Sequence, residues 1–170
     1  MIKKIIWGCA FILAAAILQS TVFSRLQVYI HAIPDIALCI LVYSSYVNGF
    51  ATGQVTGFLS GFLLDFFSSS PLGLNAFVRT LTGGLLGLLK DTFYLDAFFL
   101  PMALCAGATI LKALVFFPLH LLFPASVPAY MPDNITLWIE LGMNTLSAPL
   151  LFGLLKLFKP LGVKKSEEIK

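Results

Sequence analysis

An all-α integral membrane fold, a single bundle of six transmembrane helices, is predicted by three features of this 170-residue sequence: its hydropathy, its poverty in charge and the spacing of its polar breaks. Hydrophobic residues make up 59% of the chain and charged residues 11%, with a mean hydropathy of +0.94. Soluble domains carry about 25% charge, so too little is present here to coat a water-facing surface. Disorder is excluded by the same composition, because disordered chains lack the aromatic and branched residues that dominate here, including 16 Phe.

Inside hydrocarbon every backbone group must be bonded within the protein, which requires about 20 helical residues per span at about 1.5 Å each. Residues 5–23 form the first such run. Lys3, Lys4 and the alanines 14–16 also resemble the start of a cleavable signal peptide. The remainder stays strongly hydrophobic, and Cys9 lies too near the start to end a lipoprotein signal, so a retained first helix is expected. Pro34 and Asp35 open a second helix, 35–47, with a fixed proline φ and an acid at the positive helix end. A third is expected over 49–67. Ser68, Ser69, Ser70 and Pro71 make a turn into a fourth, 74–89. Lys90, Asp91 and Asp96 mark a polar break before a long fifth segment, 97–123, which Pro101 and Pro118 make either one kinked span or a span with a re-entrant piece. Pro124, Pro128 and Pro132 render the next loop irregular, and the sixth helix is expected over 137–158. Residues 1–160 thus form one membrane domain, followed by a basic tail, 161–170. The third and fourth helices each carry a glycine row, but no sequence repeat is evident.

Charge placement sets the expected orientation. Between Met1 and Leu155 the basic residues Lys3, Lys4, Arg25, Arg79, Lys90 and Lys112 balance Asp35, Asp65, Asp91, Asp96, Asp133 and Glu140. The net charge of +3 comes from the end of the chain, where Lys156, Lys159, Lys164, Lys165 and Lys170 outweigh Glu167 and Glu168. With both termini in the cytoplasm, the outer loops hold Arg25 alone, as the positive-inside rule favours. Such a tail suits an anionic leaflet; it lacks interleaved aromatics and any nucleic-acid-binding motif, so nucleic acid is not expected as a partner.

Gly53, Gly57, Gly61 and Asp65 recur every four residues and fall on one row of the third helix. Arg79, Gly83 and Gly87, with Gly84 beside them, make the answering row on the fourth. Such rows let helix backbones approach closely, serving helix packing or partner binding. Because the two helices are antiparallel and joined by a short turn, Asp65 and Arg79 are expected at similar depth near the outer leaflet, as an ion pair. This pair either clips two helices together or shapes a polar surface for a partner, since ionisable groups within the membrane are costly. Lys112 on the fifth helix, with Glu140 and Asn144 on the sixth, forms a second cluster. Helical rise places Lys112 about 10 Å deeper than Glu140, which makes Asn144 its expected neighbour and requires tilt or snorkelling for a direct pair.

Cys9, Cys39 and Cys105 are widely spaced in apolar runs and suggest neither metal nor disulfide, and His31 and His120 have no partner at ligand spacing. No nucleophile, base and orienting acid recur in a recognisable arrangement, and the glycine rows lack the Lys and Ser or Thr of a phosphate loop. No enzyme, cofactor or metal site is predicted.

The succession Leu18-Gln19-Ser20-Thr21, Pro34-Asp35-Ile36, Gly53-xxx-Gly57-Phe58-xx-Gly61-xxx-Asp65 and Pro71-Leu72-Gly73-Leu74 resembles the rod shape-determining protein MreD family, chiefly over residues 18–87. That resemblance implies a non-enzymatic inner-membrane subunit of the bacterial cell-elongation machinery. Its expected partners are an MreC-type shape protein and, through it, the MreB filament, the RodA glycosyltransferase and its transpeptidase, with membrane lipid around them. It also implies a bundle similar to the substrate-binding subunits of energy-coupling-factor transporters. Hence the alternative is a vitamin-binding subunit, whose pocket would draw on Gln19, Arg25, Gln27, Tyr29, His31, Asn75 and Asp133.

Overall fold

The computed structural model describes residues 2–22, 34–67, 71–92, 98–127, 130 and 134–158. Six helices follow in chain order: α1 (Ile2–Val22), α2 (Ile36–Asn48), α3 (Phe50–Phe67), α4 (Leu74–Leu88), α5 (Phe99–Leu122) and α6 (Ile135–Lys156), and no strand occurs among the described residues. The expected loop positions Arg25, Gln27, Tyr29, His31, the serines 68–70, Asp96 and Asp133, and the basic tail, lie outside the described residues. α5 is one helix that contains Pro118, with Pro101 in its first turn, where a missing N–H leaves no bond unmade.

The packing is inverted relative to a water-soluble domain. Large apolar side chains face outward, including Leu114, Leu146 and Phe66, whereas Asp65, Arg79, Glu140 and Asn144 are buried. A hydrocarbon surround favours this arrangement, because polar groups there must find partners inside the protein. α1, α5 and α6 are long and apolar enough to cross a membrane. The other three do not meet that standard. α2 has 13 residues and α4 has 15, about 20 Å of helix each, against about 30 Å of hydrocarbon. α3 is long enough, but its Gly, Thr, Ser and Gln positions dilute its hydropathy.

α2 is the central post and touches every other helix. Its residues from Ala37 to Ser45 are all buried, which explains why Ala37 to Tyr43 read as a continuous apolar run instead of an amphipathic one. Around it lies the main core, with Ile12 from α1, Leu86 from α4, Leu104 and Ala108 from α5, and Phe152 from α6 edge-on to Tyr43 with ring centroids 5.1 Å apart. A smaller apolar cluster, Leu74, Val78, Phe116 and Val127, closes α4 against α5.

α3 and α4 form the tightest pair. A Cβ added at Gly53 would strike the Gly83 carbonyl, and one at Gly57 the Arg79 carbonyl. At Gly61 it would lie 2.5 Å from the Asn75 carbonyl, and at Gly87 it would lie 2.7 Å from the Phe50 backbone. The two glycine rows therefore face each other within the chain. Gly107, Gly142 and Gly153, by contrast, have nothing within 4 Å of such a Cβ.

Candidate functional site: a buried charge cluster around Asp35

Asp35 stands just before α2, and its carboxylate caps that helix by accepting from Leu38 N at 2.9 Å. Two further side chains complete the same helix end: Asn144 Oδ1 accepts from Asp35 N at 2.7 Å, and Gln19 Oε1 from Ile36 N at 3.2 Å. Three N–H groups at this helix start are thus met, that of Leu38 by Asp35 itself and those of Asp35 and Ile36 by residues of α6 and α1. Pro34 and Gln19, conspicuous in the sequence as short motifs, belong to this one capping arrangement.

Two cations converge on the Asp35 carboxylate. Arg79 Nη2 from α4 lies 3.1 Å from Oδ1, and Lys112 Nζ from α5 lies 3.1 Å from Oδ2. Lys112 also reaches Glu140 on α6 at 2.7 Å, and the second Glu140 oxygen accepts from the Tyr130 hydroxyl at 2.6 Å. Tyr130 comes from the connection between α5 and α6; its ring lies 5.0 Å beneath the Lys112 ammonium and against Phe116. Burial pushes the Tyr130 hydroxyl up to about 12, so it remains a proton donor to Glu140. Asn144, beyond serving Asp35, donates to Thr109 Oγ1 at 3.0 Å. Two acids and two bases thereby neutralise one another across α4, α5, α6 and the head of α2, a condition buried charges require.

The expected Asp65 to Arg79 ion pair does not form. Asp65, at the far end of α3, instead spans the α3–α4 turn: its oxygens accept from Gly73 N (2.9 Å), Asn75 N (3.0 Å), Asn75 Nδ2 (2.9 Å) and Ala76 N (3.2 Å). An acid at a helix start needs no cation, since the unpaired N–H groups and the helix dipole supply the positive field. The turn is of type II: Leu74 N bonds to Pro71 O at 3.1 Å, and Gly73 takes φ +94°, which a residue with a Cβ rarely adopts. This accounts for Gly73 at the third position of the turn; Pro71, at the first, contributes its carbonyl as the acceptor. Arg79 is left to reach Asp35.

The second expectation also needs correction, since Lys112 meets Glu140 directly and Asn144 serves other groups. Lys112 stands ten residues before the end of α5 and Glu140 five residues after the start of α6. By helical rise the offset is about 7–8 Å, which an extended lysine side chain covers.

Asp65→Ala removes four hydrogen bonds to the α4 head and is expected to destabilise the fold by about 2 kcal/mol, at the upper end of capping effects. Combining Asp65→Arg with Arg79→Asp should not restore what either change loses, and thermal melting of the detergent-solubilised variants checks both statements.

A cavity of about 350 Å³ lies between the α3–α4 turn and the end of α5, lined by Pro71, Leu72, Phe77, Leu119, Phe123 and neighbouring residues. Its walls are almost wholly apolar. The convergent polar groups of a vitamin pocket are not among its lining residues.

The fold and the site define an all-helical membrane-type bundle centred on a buried, mutually neutralised charge cluster. The family model of the rod shape-determining protein MreD matches residues 1–158, and the chain belongs to that family, with a role in the determination of rod shape. No curated protein and no solved structure matches the chain.

Proposed function

We propose that this chain is a non-enzymatic, multi-pass scaffold of the bacterial inner membrane. In this reading it serves the cell-elongation complex and lateral peptidoglycan synthesis by holding partner helices in a productive arrangement. Family membership supports the setting. The observation that carries the mechanism is the Asp35 cluster, in which each of four charges is paired inside the protein, so the site fixes helices relative to one another and presents no open reactive group.

All six helices cross the bilayer in this proposal, with α2 and α4 sheltered by the longer α1, α5 and α6, and both termini are cytoplasmic by the positive-inside distribution. The Asp35 cluster then lies towards the outer face. The bundle is of the kind found in the substrate-binding subunits of energy-coupling-factor transporters, but the apolar cavity favours scaffold over vitamin carrier. Partners are an MreC-type shape protein and, through it, the MreB filament, RodA and its transpeptidase. Their contacts fall on outward faces of the bundle, because the glycine rows are consumed between α3 and α4.

Affinity recovery of the tagged chain from gently solubilised native membranes, with mass spectrometry of what accompanies it, tests this reading. The shape protein and elongation synthases are the expected companions. Paired ATPases with a coupling membrane subunit would overturn the proposal.

A further inference from the structure

The turn joining α3 to α4 leaves nothing for water to bond. From Gly73 to Phe77 every backbone N–H has a partner inside the protein: Gly73, Asn75 and Ala76 donate to Asp65, Leu74 to Pro71 O at 3.1 Å, and Phe77 to Gly73 O at 2.8 Å. Pro71 has no N–H to satisfy. A helix start in water leaves such donors to solvent, whereas in hydrocarbon each must be bonded internally. The chain leaving α5, which faces this turn across the cavity, is closed in the same way. Phe123 N donates to Leu119 O at 2.8 Å, Ser126 N and Val127 N to Phe123 O at 3.1 Å each, and His120 Nδ1 to Val127 O at 2.7 Å.

Helix length gives the turn a matching depth. Lys90 and Asp91 mark the other end of α4 as the polar one. The 15 residues of α4 rise about 22 Å, so with that end at one surface the turn stops several ångströms short of the other, in a hydrocarbon layer about 30 Å thick. The large side chains exposed around it are Phe66, Phe67, Leu72 and Phe77, none of them polar.

The cavity of about 350 Å³ opens between these two closed segments. Leu72, Phe77 and Phe123 line it and are each more than half exposed, so its mouth is continuous with the surface that faces lipid. Deeper in, Leu74 and Val127 are buried and belong to the small cluster that packs against Tyr130. Among the described lining residues Ser126 alone carries a polar side chain. Such walls cannot replace the hydrogen bonds of water or of a headgroup, and left empty they forfeit dispersion contacts along their length.

We infer that the cavity binds one acyl chain of an outer-leaflet lipid, held between the α3–α4 turn and the end of α5. This rests on the reading that all six helices cross the bilayer. The acyl chain fills the joint between α4 and α5 beside Leu74, Val78, Phe116 and Val127, and so makes lipid part of the bundle's structure.

Single tryptophans in a Trp7→Phe, Trp138→Phe background of the full chain test the setting. The vesicles are of phosphatidylglycerol and phosphatidylethanolamine whose acyl chains carry bromine, a short-range quencher. Leu146→Trp, on the exposed face of α6, is the reference for a side chain in the bilayer core. Leu72→Trp is expected to be quenched by the brominated chains and shielded from acrylamide in the water. Acrylamide quenching of Leu72→Trp, with Leu146→Trp still quenched by bromine, overturns the lipid site and leaves the membrane reading standing. An unquenched Leu146→Trp overturns both.

Occupancy is read by native mass spectrometry of the parent chain released from detergent micelles, where one retained phospholipid is expected. Leu119→Trp fills the cavity, and lost contact with a few methylene groups should lower retention at least about tenfold. Leu119→Phe, a smaller filling, repeats the comparison should tryptophan unfold the chain. Leu114→Trp, on an exposed part of α5 outside the cavity, is expected to retain lipid as the parent does. Equal retention by the parent and the Leu119 variants, or an equal fall in Leu114→Trp, would place the lipid elsewhere. No lipid on the parent would leave the cavity to a partner's side chain, and each of these results overturns the proposal.

Discussion

Asp35→Ala is expected to be the most damaging single substitution in the charge cluster, lowering stability by about 3–5 kcal/mol, because it strands the buried Arg79 guanidinium without its counter-ion. The same change withdraws one of the two carboxylates that hold Lys112 and the side-chain cap of α2. Thermal melting in detergent, read with the fraction of monodisperse protein, measures the loss. A compensated variant separates charge from packing: Asp35→Asn with Arg79→Met removes one charge of each sign, and should be milder than the sum of its single changes by about 0.5–3 kcal/mol. An Asp35→Ala protein that melts like the parent would show that the cluster does not secure the fold.

Gly57→Leu is expected to be comparably severe for a different reason. Its first side-chain carbon would collide with the Arg79 carbonyl, which is backbone and cannot swing aside, so α3 and α4 must separate along their length. Overpacking a core typically costs about 1–3 kcal/mol, and a fixed backbone obstacle places this case at or above that range. Even Gly57→Ala should be harmful. Gly107→Ala, facing open space, should be neutral or should stabilise by up to about 1 kcal/mol through helix propensity. Melting curves rank the three variants. If Gly57→Leu melts normally and loses only its partners, the row is an outward docking groove instead of an internal seam.

The six helices were legible because hydropathy and polar breaks report directly on length. The structure has six helices, of which three are long and apolar enough to span a membrane. The charge cluster was only partly legible. Asp35 read as a helix start, which it is, but capping uses one direction of a carboxylate and leaves the other free for Arg79 and Lys112. A charge count carried the missing signal. The five ionisable side chains Asp35, Asp65, Arg79, Lys112 and Glu140 include one acid too many for the two cations; Asp35 and Asp65 both serve a helix start, and it is Asp65 whose oxygens are filled by N–H groups of the α4 head alone. Two acids and two bases remain, and they pair. Short-range spacing instead linked Asp65 with Arg79, since it cannot weigh a backbone cap against a distant side chain. Tyr130 and Gln19 were not recognisable as members of the cluster from local pattern, because their partners lie 10 and 17 residues away in the sequence, beyond the reach of helical spacing.

The head of α2 has a bearing on the order in which the protein can be completed during synthesis. Asp35 emerges early, while its partners Arg79, Lys112 and Asn144 follow 44, 77 and 109 residues later. Nascent α2 is therefore a short helix with an unsatisfied acid at its tip, poorly suited to lodge in lipid alone. Arrival of α4 supplies the first counter-ion, and the amide that secures the start of α2 comes only with α6. The head of α2 thus waits on α6, whose Asn144 lies 109 residues further along the chain. Chains truncated before Asn144 should be recognised by membrane quality control as unfinished, even though most of their hydrophobic length is already made.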